Sequence, residues 1–262
     1  MKQRILTAVI AAAIFIPFVI YGKIPFILVT YLMATIALYE LLKMGKQSIF
    51  SIQGVLSVLL LWVVLWPDKY IHAIERFGFE KLEYIFVITL LYLSYSVLTK
   101  NAFTFEKIGF HVISSLYVGM GFHYFIEVRS IGLTYVFYAL LIIWATDSGA
   151  YFVGRALGKN KLWPEISPNK TVEGALGGII CALIVAILFS VFSNMDLSTI
   201  KLLVMAVLLS IFGQIGDLAE SAYKRHFGVK DSGNILPGHG GILDRFDSLL
   251  FVLPLLYFFN QL

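Results

Sequence analysis

Glu173-Gly-Ala-Leu-Gly-Gly-Ile-Ile-Cys-Ala-Leu-Ile-Val-Ala-Ile-Leu-Phe-Ser-Val-Phe-Ser193 carries no charge after its first residue. An α-helix needs about 20 apolar residues to cross the hydrocarbon of a bilayer, so this stretch alone reads as a membrane span. Working outward, comparable runs flank it at 131 to 153, 199 to 221 and 243 to 260, and recur upstream at 5 to 22, 24 to 42, 49 to 66, 82 to 98 and 108 to 126. Each is bounded by charge, Gly or Pro. The expected fold is an all-α polytopic integral membrane protein of about nine transmembrane helices, joined by loops. Composition agrees: 59% of the 262 residues are hydrophobic and 14% charged, against roughly 25% charged in soluble domains.

The first run follows Met-Lys-Gln-Arg, as the apolar part of a signal peptide would, but ends at Tyr21-Gly22-Lys23 without a small-residue cleavage site. It is read as a retained span. The net charge of +4 comes from 20 basic residues scattered among loops, so no nucleic-acid partner is expected. Those residues report topology instead. With alternating loops, fourteen fall on the side of the N-terminus and six on the other, which places the N-terminus and the loops at 155 to 172 and 222 to 242 in the cytoplasm. An odd number of spans leaves the C-terminus outside. The lone Cys181 lies in an apolar run, cannot form an intrachain disulfide and reads as a core residue.

Ionisable groups inside spans are costly and are functional candidates by default. Glu40 stands one turn from the basic end of the second span, where it can snorkel or pair with Lys43, and the structural reading is preferred. Asp147, in Trp144-Ala-Thr-Asp-Ser-Gly-Ala-Tyr151, interrupts an apolar run and is either functional or a buried structural acid. Lys170 and Thr171 immediately precede a span, where backbone N–H groups and the helix dipole favour an anion; for Lys170 the alternative is plain cytoplasmic-side topology. Gly154 to Lys159 lacks the spacing and the Ser/Thr of a Walker loop. The sequon at Asn169 falls on the cytosolic face and is accidental. Gly174 and Gly178 form a small-xxx-small pair that lets a neighbouring helix approach.

The densest polar region runs from Gln214 to Ser248. Asp217, Glu220, Ser221 and Lys224 share one helix face at spacings of three or four, and Asp244, Asp247 and Ser248 align at the start of the last span. Several carboxylates near low dielectric repel one another unless a cation neutralises them. All-oxygen donors favour Mg²⁺, held by one or two carboxylates while substrate phosphates complete the shell, and the absence of clustered Cys and His argues against zinc. Between the two acidic helix ends, Pro237-Gly-His-Gly-Gly241 offers backbone N–H groups that can approach phosphate. Alone it could be plain helix-entry geometry. Beside Lys224, Arg225, Lys230 and Arg245 it points to a metal-phosphate site.

The pattern Ser221-x-x-Lys224-Arg225-x₄-Lys230-Asp231-x-Gly233-x-x-Leu236-Pro237-Gly238-His239-Gly240-Gly241-x-x-Asp244-Arg245-x-Asp247 resembles the signature of the phosphatidate cytidylyltransferases, or CDP-diacylglycerol synthases. Asp147-Ser-Gly-Ala-Tyr151 and Ser167-Pro-Asn-Lys170-Thr171-x-Glu173-Gly174 resemble further motifs of that family. Residues before about 135 match it only in being apolar helices. Residues 1 to 135 are therefore read as lipid-facing structural helices and 136 to 262 as the catalytic region.

The resemblance implies CTP + phosphatidate → CDP-diacylglycerol + pyrophosphate, with Mg²⁺ required and a homodimer as the assembly. It assigns metal binding to Asp217 and Asp244, and further to Asp247 and Asp147; the number of acids would also fit a second cation. Lys170, Lys224 and Arg245 are expected to contact phosphate, with Thr171, Ser221, Arg225, Lys230, Gly238, Gly240 and Gly241 completing the CTP site. His239 either protonates the leaving group or hydrogen-bonds within its loop. The short chain suggests a bacterial inner membrane, with the site facing the cytoplasm. Two rival readings are an ion-coupled transporter, which would place its acids near the midplane, and a CTP-dependent transferase or lipid kinase acting on another lipid.

Overall fold

The computed structural model describes residues 2–76, 78–193 and 195–261. Its helices are α1 (Lys2–Tyr21), α2 (Lys23–Met44), α3 (Ile52–Val64), α4 (Ile71–Glu75, after a 3₁₀ turn at Asp68–Tyr70), α5 (Lys81–Leu98), α6 (Phe105–Ile131), α7 (Leu133–Leu157), α8 (Val172–Phe192), α9 (Thr199–His226) and α10 (Leu243–Gln261). Five of them, α2, α5, α7, α8 and α9, are long and apolar enough to cross a membrane. The protein is thus a mostly helical, integral membrane protein. By contrast, the 13 residues of α3 rise only about 20 Å. It starts late because the Ser51 hydroxyl accepts the Gly54 amide proton and caps the helix there.

One expectation is corrected. The chain is not all helix and loop: β1 (Lys161–Trp163) and β2 (Ser167–Thr171) form an antiparallel hairpin, pairing Lys161 with Thr171 and Trp163 with Ser167. Strands of three and five residues are too short for alternation to be visible in sequence. The Lys161 ammonium closes the hairpin by donating to the Pro168 carbonyl at 2.7 Å.

The chain divides into two compact units. The first comprises Met1–Glu127 and Asp231–Asp244. Its apolar centre packs Leu60 and Val64 of α3 against Ile88 and Tyr92 of α5, with Phe103 and Ile108. Within it runs a polar ladder: Ser57 Oγ lies 2.7 Å from both Tyr92 Oη and His111 Nδ1, and Ser115 Oγ donates to the Ser57 carbonyl at 3.1 Å. Burying the Ser57, Tyr92 and Ser115 hydroxyls is tolerable because each finds a partner inside the helix cluster.

The second unit comprises Val128–Lys230 and Arg245–Leu262. Glycines bring α7 and α8 into backbone contact. A Cβ at Gly174 would lie 2.7 Å from the Ala150 carbonyl, one at Gly177 2.5 Å from Val153 Cβ, and one at Gly178 2.8 Å from the Thr146 carbonyl. Side chains there would force the helices apart. Thr146 also donates to Ser210 at 2.9 Å, and Tyr138 to the Leu202 carbonyl at 2.7 Å, which ties α7 to α9. α9 ends in a Schellman turn: Gly228, at φ 68°, donates to the Arg225 carbonyl, and Val229 donates to that of Lys224. Lys224 and Arg225 therefore stand on the helix itself, beyond the span limit expected at 221.

Candidate active site

In the second unit the site draws on four helices, α7 to α10. The hairpin delivers Lys170 and Thr171 to the start of α8, where the Thr171 hydroxyl caps the helix by accepting the Gly174 amide proton at 3.1 Å. Glu173 then reaches back: its carboxylate accepts from the amides of Lys159 and Asn160 and from the Asn160 side chain, the last at 2.7 Å. Sequence reading gave Glu173 no role, yet it ties the loop entering the hairpin to the first turn of α8.

Lys170 Nζ pairs with Asp217 Oδ2 at 2.5 Å, and Ser221, one turn along α9, donates to Asp217 Oδ1 at 3.4 Å. A further turn on, Lys224 pairs with the buried Glu220. Asp147 of α7 is exposed and accepts no hydrogen bond among the described residues, so it is not a satisfied structural acid. Asp247, one turn into α10, accepts the Ser248 amide proton at 2.7 Å. Asp147, Asp217 and Asp247 lie close enough to repel one another, and Lys170, Lys224 and Arg245 supply the opposing charge. The approach of α10 to α9 rests on Gly216, where a Cβ would lie 2.7 Å from the Asp247 carbonyl. Arg225 is exposed, with Nε donating to the Ile166 carbonyl at 3.3 Å, and Lys230 and Arg245 are exposed.

The first unit holds the glycine-rich loop. Gly238 and Gly240 have φ of 76° and 80°, a conformation that side chains resist. Leu236 donates to the Gly240 carbonyl and His239 to that of Leu236, which closes the turn. Thr7 of α1 donates to the Pro237 carbonyl at 2.9 Å. His239 Nδ1 is shielded from solvent and has no hydrogen-bond partner among the described residues. Asp244 Oδ2 accepts from the Gly241 amide at 2.7 Å and from the Ser232 amide and hydroxyl, both at 2.9 Å.

The loop also rests on a residue that sequence reading assigned to local structure. Glu40 does not snorkel to Lys43; it is 2% exposed, and its carboxylate accepts from the amides of Ile242 and Leu243 at 3.0 and 2.9 Å. The spacing to Lys43 suggested a helix-face pair, but the unsatisfied amides at the start of α10 are stronger partners for a buried carboxylate. An ionisable residue within an apolar helix was the available signal; its partners, some 200 positions away, were not visible.

Among the described residues, the one group of three metal-capable side chains gathered within 4.8 Å is Asp68, His123 and Glu127, in the first unit and outside the signature. There Lys81 donates to the Trp66 carbonyl at 3.0 Å and reaches His123 Nδ1 at 3.5 Å, while the Asp68 amide donates to Glu127 at 3.0 Å. An ammonium already balances these acids.

These features describe a membrane protein whose helices bring acids and cations together, and comparison places it in a class. The sequence profile of the Cytidylyltransferase family matches residues 2–262, and the chain belongs to that family. Among curated proteins, it is 57% identical over 261 residues to the phosphatidate cytidylyltransferase of Bacillus subtilis (strain 168), covering 98% of this chain and 97% of that one. The enzymes of the same name from Staphylococcus haemolyticus (strain JCSC1435) and Staphylococcus aureus (strain COL) are 52% and 48% identical over 256 residues, with the same coverage.

Proposed function

We propose that this chain transfers the cytidylyl group of CTP to phosphatidate, giving CDP-diacylglycerol and pyrophosphate. The observation that carries the reading is the array of Asp147, Asp217 and Asp247 opposed by Lys170, Lys224 and Arg245, in a chain of this family. Oxygen donors on separate helices are a donor set that suits Mg²⁺. Asp217, Asp247 and Asp147 are the residues that would hold it, and the family resemblance adds the signature residue Asp244. Bound there, Mg²⁺ would neutralise phosphate charge and polarise the phosphorus centre. The same acids would accommodate a second cation.

In the reaction a phosphatidate oxygen attacks the α-phosphorus of CTP, the bond to the β-phosphate oxygen breaks, and pyrophosphate leaves with the electron pair. Both reactants are anions, so the protein's task is positioning and charge compensation. Lys170 exchanges its partner Asp217 for a phosphate oxygen, and Lys224 and Arg245 offset charge that develops on the leaving pyrophosphate. The unpartnered Nδ1 of His239 supports a hydrogen bond to substrate. Thr171 keeps the first turn of α8 intact beneath Lys170, and Ser221 orients Asp217. Arg225 and Lys230 add positive charge that draws CTP to the site, while Gly238, Gly240 and Gly241 give the loop its turn.

Nine apolar runs support nine spans, and the excess of basic residues on one set of loops supports the N-terminus and the site on the cytoplasmic side and the C-terminus outside. Bacterial relatives support placement in a cytoplasmic membrane, and the family resemblance supports a homodimer. The test is pyrophosphate release by the detergent-purified protein given Mg²⁺ and CTP, with and without phosphatidate, in wild type and D244N. Release that needs both substrates and collapses in the variant is the expected result. Activity with a different lipid phosphate alone would move the substrate, and silence with every lipid phosphate would remove the reading.

A further inference from the structure

The signature glycines Gly233 and Gly241 face a residue outside the signature. A Cβ at Gly233 would stand 2.5 Å from Glu40 Oε1, and one at Gly241 would overlap both the Glu40 carboxylate and Ser232 Oγ. Glu40 fills the space these glycines leave. Its two oxygens are fully committed: Oε1 accepts from Ile242 N, and Oε2 accepts from Leu243 N and faces Ser232 Oγ at 3.2 Å. That hydroxyl also lies 2.9 Å from Asp244 Oδ2. A hydroxyl has one proton to give, so a single Ser232 proton bridges the carboxylates of Glu40 and Asp244, and the Ser232 and Gly241 amides hold the far side of Asp244 Oδ2.

We infer that Glu40 is a positioning residue for the reaction: by holding the amides of 242 and 243 and the hydroxyl of Ser232, it sets the orientation in which Asp244 is presented. The inference rests on the cytidylyl-transfer reading only in naming what Asp244 is presented for. The acceptor role is specific to a carboxylate. A Gln at position 40 has the same shape but carries one acceptor oxygen and an NH₂ group. Whichever way it turns, the NH₂ faces an amide N–H at Ile242 or Leu243. A residue that merely fills space would tolerate this change.

The test compares E40Q and S232A with wild type in detergent, using backbone amide exchange of the 231–244 segment, which requires no substrate, together with kcat, KM for phosphatidate and the Mg²⁺ concentration for half-activation. Expected for E40Q are faster exchange in 231–244 with α7 to α9 unchanged, a loss of about 10- to 100-fold in kcat as seen when an outer-shell partner is removed, a raised Mg²⁺ requirement and an unmoved phosphatidate KM. S232A removes only the bridging hydroxyl and should show the same pattern to a smaller degree. Wild-type exchange and kcat in E40Q would overturn the inference. If E40Q does not accumulate, S232A decides: wild-type kcat and Mg²⁺ requirement there overturn it equally. Failure of wild type to release pyrophosphate sinks the functional reading and leaves the exchange result standing, so the two failures are distinguishable.

Discussion

Two pairs of carboxylates, one pair in each unit, are held by different means. In the first, Asp244 and Glu40 are bound by neutral donors, namely the amides of Ser232, Gly241, Ile242 and Leu243 and one hydroxyl. In the second, Asp217 and Glu220 are bound by ammonium groups, Lys170 and Lys224. Amide donors are fixed to the backbone and cannot leave without distorting the loop. A lysine pivots on a flexible stem and trades one anion for another at little cost. Neutral donors therefore fix geometry, and cationic ones keep charge exchangeable until an anionic substrate arrives.

The largest effect is expected where the exchangeable pair is broken. K170A should lower kcat/KM for CTP by about 10²-fold or more, the scale of losing one charge-stabilising donor, whereas K170R should retain part of the activity. Steady-state pyrophosphate release measures both. Wild-type kinetics in K170A would show the Lys170 pair to be architecture after all, which would erase the distinction between the units.

A smaller effect is expected in the frame beneath the pair. Replacing Gly177, which faces Val153 across the α7 and α8 contact, with Leu overpacks the helix contact by about 1–3 kcal/mol. Thermal unfolding in detergent should shift down by several degrees. Unchanged unfolding would mean that the glycine contact is dispensable and that the second unit is not positioned by α7 and α8. The smallest effect is expected from T171A, which removes the cap accepting the Gly174 amide at a cost of about 1 kcal/mol. It should loosen the first turn of α8 in amide exchange without touching the loop at 231–244.

Sequence made the second unit largely readable and the first much less so. Spans such as α8 announce themselves because a bilayer demands continuous apolar length, and the close approach at Gly174 and Gly178 follows from residue size alone. Asp217, Ser221 and Lys224 fell on one face because helical spacing is periodic. The hairpin at 161–171 escaped because backbone pairing over so few residues leaves no periodic trace. Glu40 escaped for another reason: its partners are main-chain amides, which every sequence has everywhere, so no residue type marks them. The grouping of the segment Asp231–Asp244 with Met1–Glu127 in one compact unit also leaves no trace in composition.

The clearance at Gly233 and Gly241 has an evolutionary consequence. Positions 40, 233 and 241 are bound in one steric bargain, so drift at any of them is conditional on the other two. Shortening Glu40 to Asp would ease the contact at 233, whereas at 241 the Ser232 hydroxyl would still exclude a side chain. Two glycines of what looks like a nucleotide-loop motif thus also serve as clearance for an acid almost two hundred residues upstream.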